Sequence, residues 1–235
     1  MTWGEGPFLA LDIESTGTDP WTDRIVTASL VEIRDGQAEH VQSWLLNPGV
    51  SIPMDAEAVH GISTLQASRD GVAPTLALEE ITSTIAGWLG ELKPVVTFNA
   101  SFDLTMLEAE NARYGVPTLV ERGGEIRPVI DPLIVDKHVD TYRRGKRTLS
   151  ALALHYGVVL ENAHSAAADA AAAALLVPKI VERFPELGGY SLDTLHDAQK
   201  LWRSEQQLSL SKYFERQGNL EAVQSMRAGW PIAAQ

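Results

Sequence analysis

Phe8-Leu9-Ala10-Leu11-Asp12-Ile13-Glu14-Ser15-Thr16-Gly17 is the stretch whose reading decides the fold. A short apolar run, Phe8 to Ile13, ends in two carboxylates, as a strand does when it carries polar groups to the rim of a sheet. Residues two apart on a strand point to the same face, so Asp12 and Glu14 converge. Two acids held together are costly unless a positive charge sits between them, and a divalent cation is the simplest solution. Ser15-Thr16-Gly17 then lets the chain turn tightly and offers backbone N–H groups to a phosphate or sugar. Asp-x-Glu alone equally describes two exposed acids at a strand end, so the rest of the chain has to decide.

Working outward, Arg24 to Arg34 and Ala38 to Leu46 are two further apolar runs separated by Asp35-Gly36, a hairpin signal. Three antiparallel strands fit. Pro53 to Val59 and Pro74 to Leu89 read as helices, the second with Pro in its first turn. Val95 to Phe98 reads as a fourth strand followed by a helix, Phe102 to Tyr114, that ends near Gly115. Val129 to Asp131 is a short fifth strand. Helical patterns resume at Leu133 to Val139, Leu149 to Tyr156 and Ala166 to Val177, where Pro178 should stop or kink the last. Strands first and helices after predict an α/β fold, a mixed sheet covered by helices. Ala166 to Ala174 is eight alanines around Asp169, a composition that lets a helix pack closely on a sheet. Beyond Pro185, Gly188-Gly189 reads as a linker, and Ser191 to Gln217 as a long helical arm closed by Gly218.

The 235 residues suit one domain with an appendage. With no cysteine, disulfides and thiolate metal sites are excluded, which favours oxygen and imidazole ligands and hard ions such as magnesium or manganese. The start, Met1 to Ala10, has no basic stretch followed by an apolar one, and the most apolar run, Ala170 to Val177, is too short to cross a bilayer. A cytoplasmic protein with no membrane partner is the expectation. The net charge of −12 is unusual for a nucleic-acid binder, but Lys137 to Arg147 carries a local +4 and leaves −16 elsewhere. That segment is a candidate for holding phosphates, and a solvated charged loop is the competing reading. An acidic site also repels a polyanion until metal neutralises it, so acidity does not exclude a metal nuclease.

Two more acids join the first pair. Asp103 stands just inside the helix after the fourth strand, where side chains reach the rim of the sheet; an ordinary first-turn acid would look the same. In His164-Ser165-Ala166-Ala167-Ala168-Asp169 the two ends would be about 140° apart if all six residues were helical. A shared site therefore needs His164 in the loop and Ser165 as the helix cap.

Together these segments resemble the DEDDh exonucleases, the family of the bacterial polymerase III proofreading subunit and of RNase T. The resemblance rests on Phe8 to Gly17, on Asn99-Ala-Ser-Phe102-Asp103 and on His164-x-Ala166-x-x-Asp169. Asn47-Pro48, Val59-His60-Gly61-Ile62, Asp131-Pro132-Leu133 and Arg147-Thr-Leu149 before His155-Tyr156-Gly157 add to it. The match spans Phe8 to Val181 in the family's order, and Phe98, where many relatives carry His, is the departure from it. The resemblance implies a ribonuclease H-like fold with a five-stranded mixed sheet, and a 3′ to 5′ exonuclease domain over residues 1–187 followed by a helical arm over 188–235. It implies two divalent ions, Mg2+ or Mn2+, held by Asp12, Glu14, Asp103 and Asp169, with His164 as general base and Glu14 serving catalysis as well as metal. By the same analogy Thr16, His60, Asn99 and Phe102 line the pocket for the terminal nucleotide, Phe102 by stacking.

The implied substrate is the single-stranded 3′ end of DNA, with an exoribonuclease of the same family as the alternative, since the 2′-OH contacts alone would differ. A noncatalytic binding module is a third reading, and the intact set of four acids and the histidine opposes it. The partner would be a DNA polymerase III or a second copy of the chain. Gln207-Leu208-Ser209-Leu210 is similar to short clamp-binding peptides but lacks their terminal aromatic residue, and with Tyr213-Phe214 it reads as part of the helix. Every implied ligand precedes the arm, so bond cleavage is expected not to need it.

Overall fold

A computed structural model describes residues 3–160 and 165–234. Strands β1 (Phe8–Ser15), β2 (Ile25–Arg34) and β3 (Gln37–Leu45) form an antiparallel meander. Its β2–β3 turn places both Asp35 (φ 49°) and Gly36 (φ 71°) in the left-handed region, the geometry that a tight two-residue hairpin demands and that Asp-Gly tolerates. Helices α1 (Met54–His60), α2 (Thr64–Asp70) and α3 (Pro74–Gly90) come next, then β4 (Val95–Val96), α4 (Ala100–Tyr114), α5 (Leu119–Gly123) and β5 (Val129–Ile130). β4 pairs with β1, and β5 with β4, both in parallel, so the sheet runs β3-β2-β1-β4-β5. β1 is therefore central, and its carboxyl end lies where antiparallel and parallel halves meet. Crevices outside the carboxyl ends of strands at such a change of direction are where α/β sheets bind ligands.

The chain continues with α6 (Pro132–Val139), α7 (Leu149–Tyr156), α8 (Ala166–Arg183), α9 (Leu192–Arg216) and α10 (Leu220–Ser225). α8 lies across β1 and β2, burying Ala166, Ala170, Ala173, Ala174 and Val177. The methyl side chains permit this close approach, as the alanine run leads one to expect. Pro178, however, does not end α8, which runs on to Arg183. Pro removes one helical N–H; Leu176, Val177 and Ile180 are buried against the core on either side of it and hold the helix through the defect.

The arm is docked, and Gly188-Gly189 is no free linker: it closes a 3-10 turn, Pro185–Gly189, whose Leu187 is buried. Along α9, Leu195, His196, Gln199 and Trp202 are buried, at helical spacing. The Gln199 side chain donates to the Val129 carbonyl (2.9 Å) and accepts from the Asp131 N–H (2.7 Å), while His196 Nδ1 accepts from the Val129 N–H (3.1 Å). Side chains of α9 thus take the hydrogen bonds that an additional strand would otherwise make with β5, closing an edge that would be a liability. Trp202 stacks on His138 with ring centroids 3.9 Å apart, and the buried Trp230 packs on His196. No helix of the described residues is long and apolar enough to cross a membrane.

Candidate active site

β1 carries Asp12 and Glu14 to the rim of the sheet, and α8 brings Asp169 against them from its first turn. One carboxylate oxygen from each of Asp12, Glu14 and Asp169 lies within 4.8 Å of the others. Asp103 stands beside this trio on the first turn of α4. Its Oδ1 accepts the Ile13 N–H (3.0 Å) and its Oδ2 accepts the Thr97 hydroxyl (3.1 Å). These bonds anchor Asp103 between β1 and β4 and fix it next to Asp12.

Burial and mutual repulsion dominate the electrostatics. Burial, then Asp103, Glu14 and Asp169 in that order, pushes the Asp12 carboxyl well above the usual range. Burial, and then Asp169, raises Glu14 to about 7. Burial raises Asp103 to about 8 against the opposing hydrogen bonds from Thr97 and Ile13. Without a cation these acids resist ionisation. Three converging oxygen donors, from Asp12, Glu14 and Asp169, fit a hard divalent ion, and Asp103 fits a position adjoining it.

The neighbouring residues are set by a fifth carboxylate. Asp131, 1% exposed, accepts the N–H groups of Asn99 (3.1 Å), Ala100 (2.9 Å) and Leu133 (3.0 Å). It thereby caps α4 and α6 together and holds Asn99 in a left-handed conformation (φ 68°, ψ 50°), which Asn accepts more readily than most residues. Phe102 follows one turn later, half-buried, and shares a cleft of about 240 Å³ with Asn99. His60 terminates α1; its Nδ1 accepts the Ile62 N–H (3.1 Å), and burial lowers its pKa against the opposing pull of Ser15 and Glu57. Ser15 ends β1 directly after Glu14, so His60 lies at the carboxyl end of that strand.

Thr16 departs from expectation. Its hydroxyl donates to Asp23 (3.0 Å) and accepts from the Arg24 N–H, and its own N–H goes to the Arg24 carbonyl (2.9 Å). The turn after β1 is therefore folded around Asp23 and does not offer the Thr16 N–H to a phosphate. Gly17 is required because a Cβ there would sit 2.5 Å from an Asp23 oxygen. His164 lies outside the described residues.

The basic segment also behaves differently from a phosphate-binding loop. Arg143 and Arg147 both pair with Asp136, which is fully buried and also accepts the Tyr156 hydroxyl (2.8 Å). Two of the five cations are thus internal counter-ions, which their loop composition could not reveal. Gln199 and Asp23 escaped the sequence reading for a similar reason, and Asp131, quoted there within Asp131-Pro132-Leu133, is given no role of its own. Asp131 before Pro132 does signal a helix cap, but its bonds to Asn99 and Ala100 span 32 and 31 residues.

A family model described as exonuclease, RNase T, matches residues 9–177. The PolC-type DNA polymerase III of Staphylococcus haemolyticus is 28% identical over 184 residues, and that of Staphylococcus aureus 27%. Each match covers 78% of this chain but 12% of the relative, so the chain spans a small part of the length of these polymerases. A solved exonuclease I superposes with a TM-score of 0.67 at 20% identity, over 78% of this chain and 42% of that one. Escherichia coli exonuclease I in complex with a dT13 oligonucleotide gives 0.66 over the same shares, also at 20% identity. At that identity the likeness carries the fold, a ribonuclease H-like mixed sheet flanked by helices. With the family model covering most of the chain, this protein belongs to the RNase T exonucleases, a DnaQ-like 3′ to 5′ exonuclease family.

Proposed function

We propose that this chain shortens single-stranded DNA from its 3′ end, one nucleotide at a time, with divalent ions held by Asp12, Glu14 and Asp169 and adjoined by Asp103. The observation that carries this reading is the convergence of three carboxylates, two of which, Asp12 and Glu14, burial and repulsion hold short of ionisation. The DNA preference is supported by the relatives: one solved neighbour is an exonuclease I holding an oligothymidylate, and the curated relatives are DNA polymerases. The latter support a place beside a replicative polymerase, in proofreading or repair.

In the reaction a water attacks the terminal phosphorus, the bond to the 3′ oxygen of the preceding nucleotide breaks, and a nucleoside 5′-monophosphate leaves. When bound, two divalent ions supply acidification of the water and neutralisation of the charge developing on the departing oxygen. His164, which precedes α8 in the sequence, takes the water's proton as a neutral imidazole and returns it to solvent. Asn99 and His60 border the terminal nucleotide, and Phe102 offers its ring to the base or sugar. The ligands and base all lie within residues 1–187, which we propose as the exonuclease domain, with residues 188–235 as the arm that buttresses it.

The test uses DNA and RNA strands labelled at the 5′ end, incubated with magnesium, manganese or chelator. A ladder of shortened DNA with either metal supports the reading. A ladder from RNA alone would move the assignment to an exoribonuclease, and uncut strands under every condition would remove it.

A further inference from the structure

The cleft that holds Asn99 and Phe102 has a second wall made by the arm. Arg203 and Gln207 reach it from α9, one turn apart, and Arg227 and Met226 close it from beyond α10. Arg227 lies over the Trp21 ring at 5.4 Å, which orients its guanidinium on the rim. The cleft's volume, about 240 Å³, equals that of roughly eight waters. Its described lining contains two arginines and no carboxylate, on a chain whose net charge is −12.

Arg203 is the informative residue. It is half-buried, its Nε is buried, and it has no hydrogen-bond acceptor for that nitrogen among the described residues. Asp131 favours its charge from nearby, but Asp131 spends its oxygens on Asn99, Ala100 and Leu133 and forms no ion pair with it. Arg127 and Arg143 also have a buried Nε without an acceptor, but their guanidiniums are paired through other nitrogens: Arg143, with Arg147, meets Asp136, and Arg127 meets Asp193 and Asp197. A guanidinium partly desolvated without a partner is expensive, and a planar fork of donors suits a phosphate.

We propose that Arg203, assisted by Gln207 and Arg227, holds an internucleotide phosphate of the substrate strand just upstream of the terminal nucleotide that Phe102 contacts. This rests on the proposed nuclease function and extends it: the arm forms part of the substrate site. Phe102 is adjacent in sequence to Asp103, so a strand whose last base meets Phe102 runs directly past Arg203. The positive contact on an otherwise acidic molecule then comes from α9 more than from the Lys137 to Arg147 segment.

The experiment measures binding of a fluorescent oligothymidylate to the full chain in chelator, across a range of salt, for wild type, Arg203→Met, Arg203→Lys and Arg227→Met. Melting temperatures are recorded alongside. Loss of one phosphate contact should lower the slope of log K against log salt by about 0.7. It should weaken binding roughly tenfold to hundredfold, the usual worth of a charge-assisted hydrogen bond. Arg203→Lys should keep the salt slope and lose part of the affinity. A purely structural Arg203 would change the melting temperature and leave the slope alone, and that result overturns the proposal. Should Arg203→Met not fold, Arg227→Met on the exposed rim must show the same fall in slope, and an unchanged slope there counts against the proposal equally. With magnesium, the ratio of kcat/KM for the strand to that for a small phosphodiester should fall at least tenfold in Arg203→Met. A wild type that binds through Arg203 yet shortens no strand would remove the nuclease reading and leave the phosphate site standing.

Discussion

Replacing Glu14 by Gln should stabilise the metal-free protein. Glu14 sits with Asp12 and Asp169 in the acid cluster, and burial together with Asp169 raises its pKa from 4.5 to about 7. A carboxyl whose native pKa exceeds its unfolded value contributes stability at low pH and loses it as pH rises through the native value. The gap between 4.5 and about 7 corresponds to at most about 3 kcal/mol above pH 8, and partial solvent contact of the group reduces this to about 1–3 kcal/mol. Gln keeps the shape and removes the charge. Thermal melting in chelator at several pH values should therefore show the variant about 2–10 °C above wild type near pH 8. That advantage should shrink near pH 5, where native Glu14 is protonated. Magnesium should raise the melting temperature of wild type, because it binds the native form, and should do little for the variant. A variant less stable than wild type at pH 8 in chelator, or one that magnesium stabilises equally, would refute the electrostatic reasoning.

Four further outcomes are expected. His196 is buried, accepts the Val129 N–H, and has its pKa lowered from 6.5 to about 4 mainly by burial; stability should fall as pH drops from 6.5 to 4, by about 2–3 kcal/mol in all, and His196→Gln should flatten that part of the profile in denaturant titrations. Gln199→Ala leaves the Val129 carbonyl and the Asp131 N–H without side-chain partners, and should cost about 2 kcal/mol or more in chemical denaturation. Asp136→Ala strips Arg143, Arg147 and Tyr156 of a buried acceptor and should cost about 3–5 kcal/mol, read by the same titration. His164→Ala should keep metal binding and lose about a hundredfold to ten-thousandfold in rate, and full turnover between pH 6 and 9 would exclude His164 as the base.

The parts of this molecule that were legible in its sequence are those written by local rules. Asp35-Gly36 names its hairpin, Gly115 and Gly157 close α4 and α7 in the left-handed conformation, and Asp12 and Glu14 follow from the two-residue period of a strand. The alanines of α8 announce close packing. What stayed hidden depends on contacts distant in sequence. Pro178 carries a stop signal that burial of Val177 and Ile180 overrides. Arg143 and Arg147 look like a solvated or phosphate-binding patch until Asp136 is seen beneath them. The arm reads as charged and detachable because its buried face includes His196 and Gln199 in place of apolar residues; their use is to complete the edge of β5, which no periodicity reports. A chain ended after Gly188 would expose that edge. Loss of activity in such a truncation would therefore follow from unfolding as readily as from a missing catalytic group.

The central claim, that Asp12, Glu14 and Asp169 form a metal centre on which hydrolysis depends, is tested most directly by calorimetric titration of manganese into wild type and Asp12→Asn, with strand cleavage assayed on the same samples. Wild type should bind the ion with release of protons near neutral pH, since the raised carboxyl pKa values mean that the ligands ionise on binding. Asp12→Asn should bind weakly and leave a 5′-labelled strand intact. Tight manganese binding with full cleavage by Asp12→Asn, or cleavage by wild type in chelator, would contradict the account.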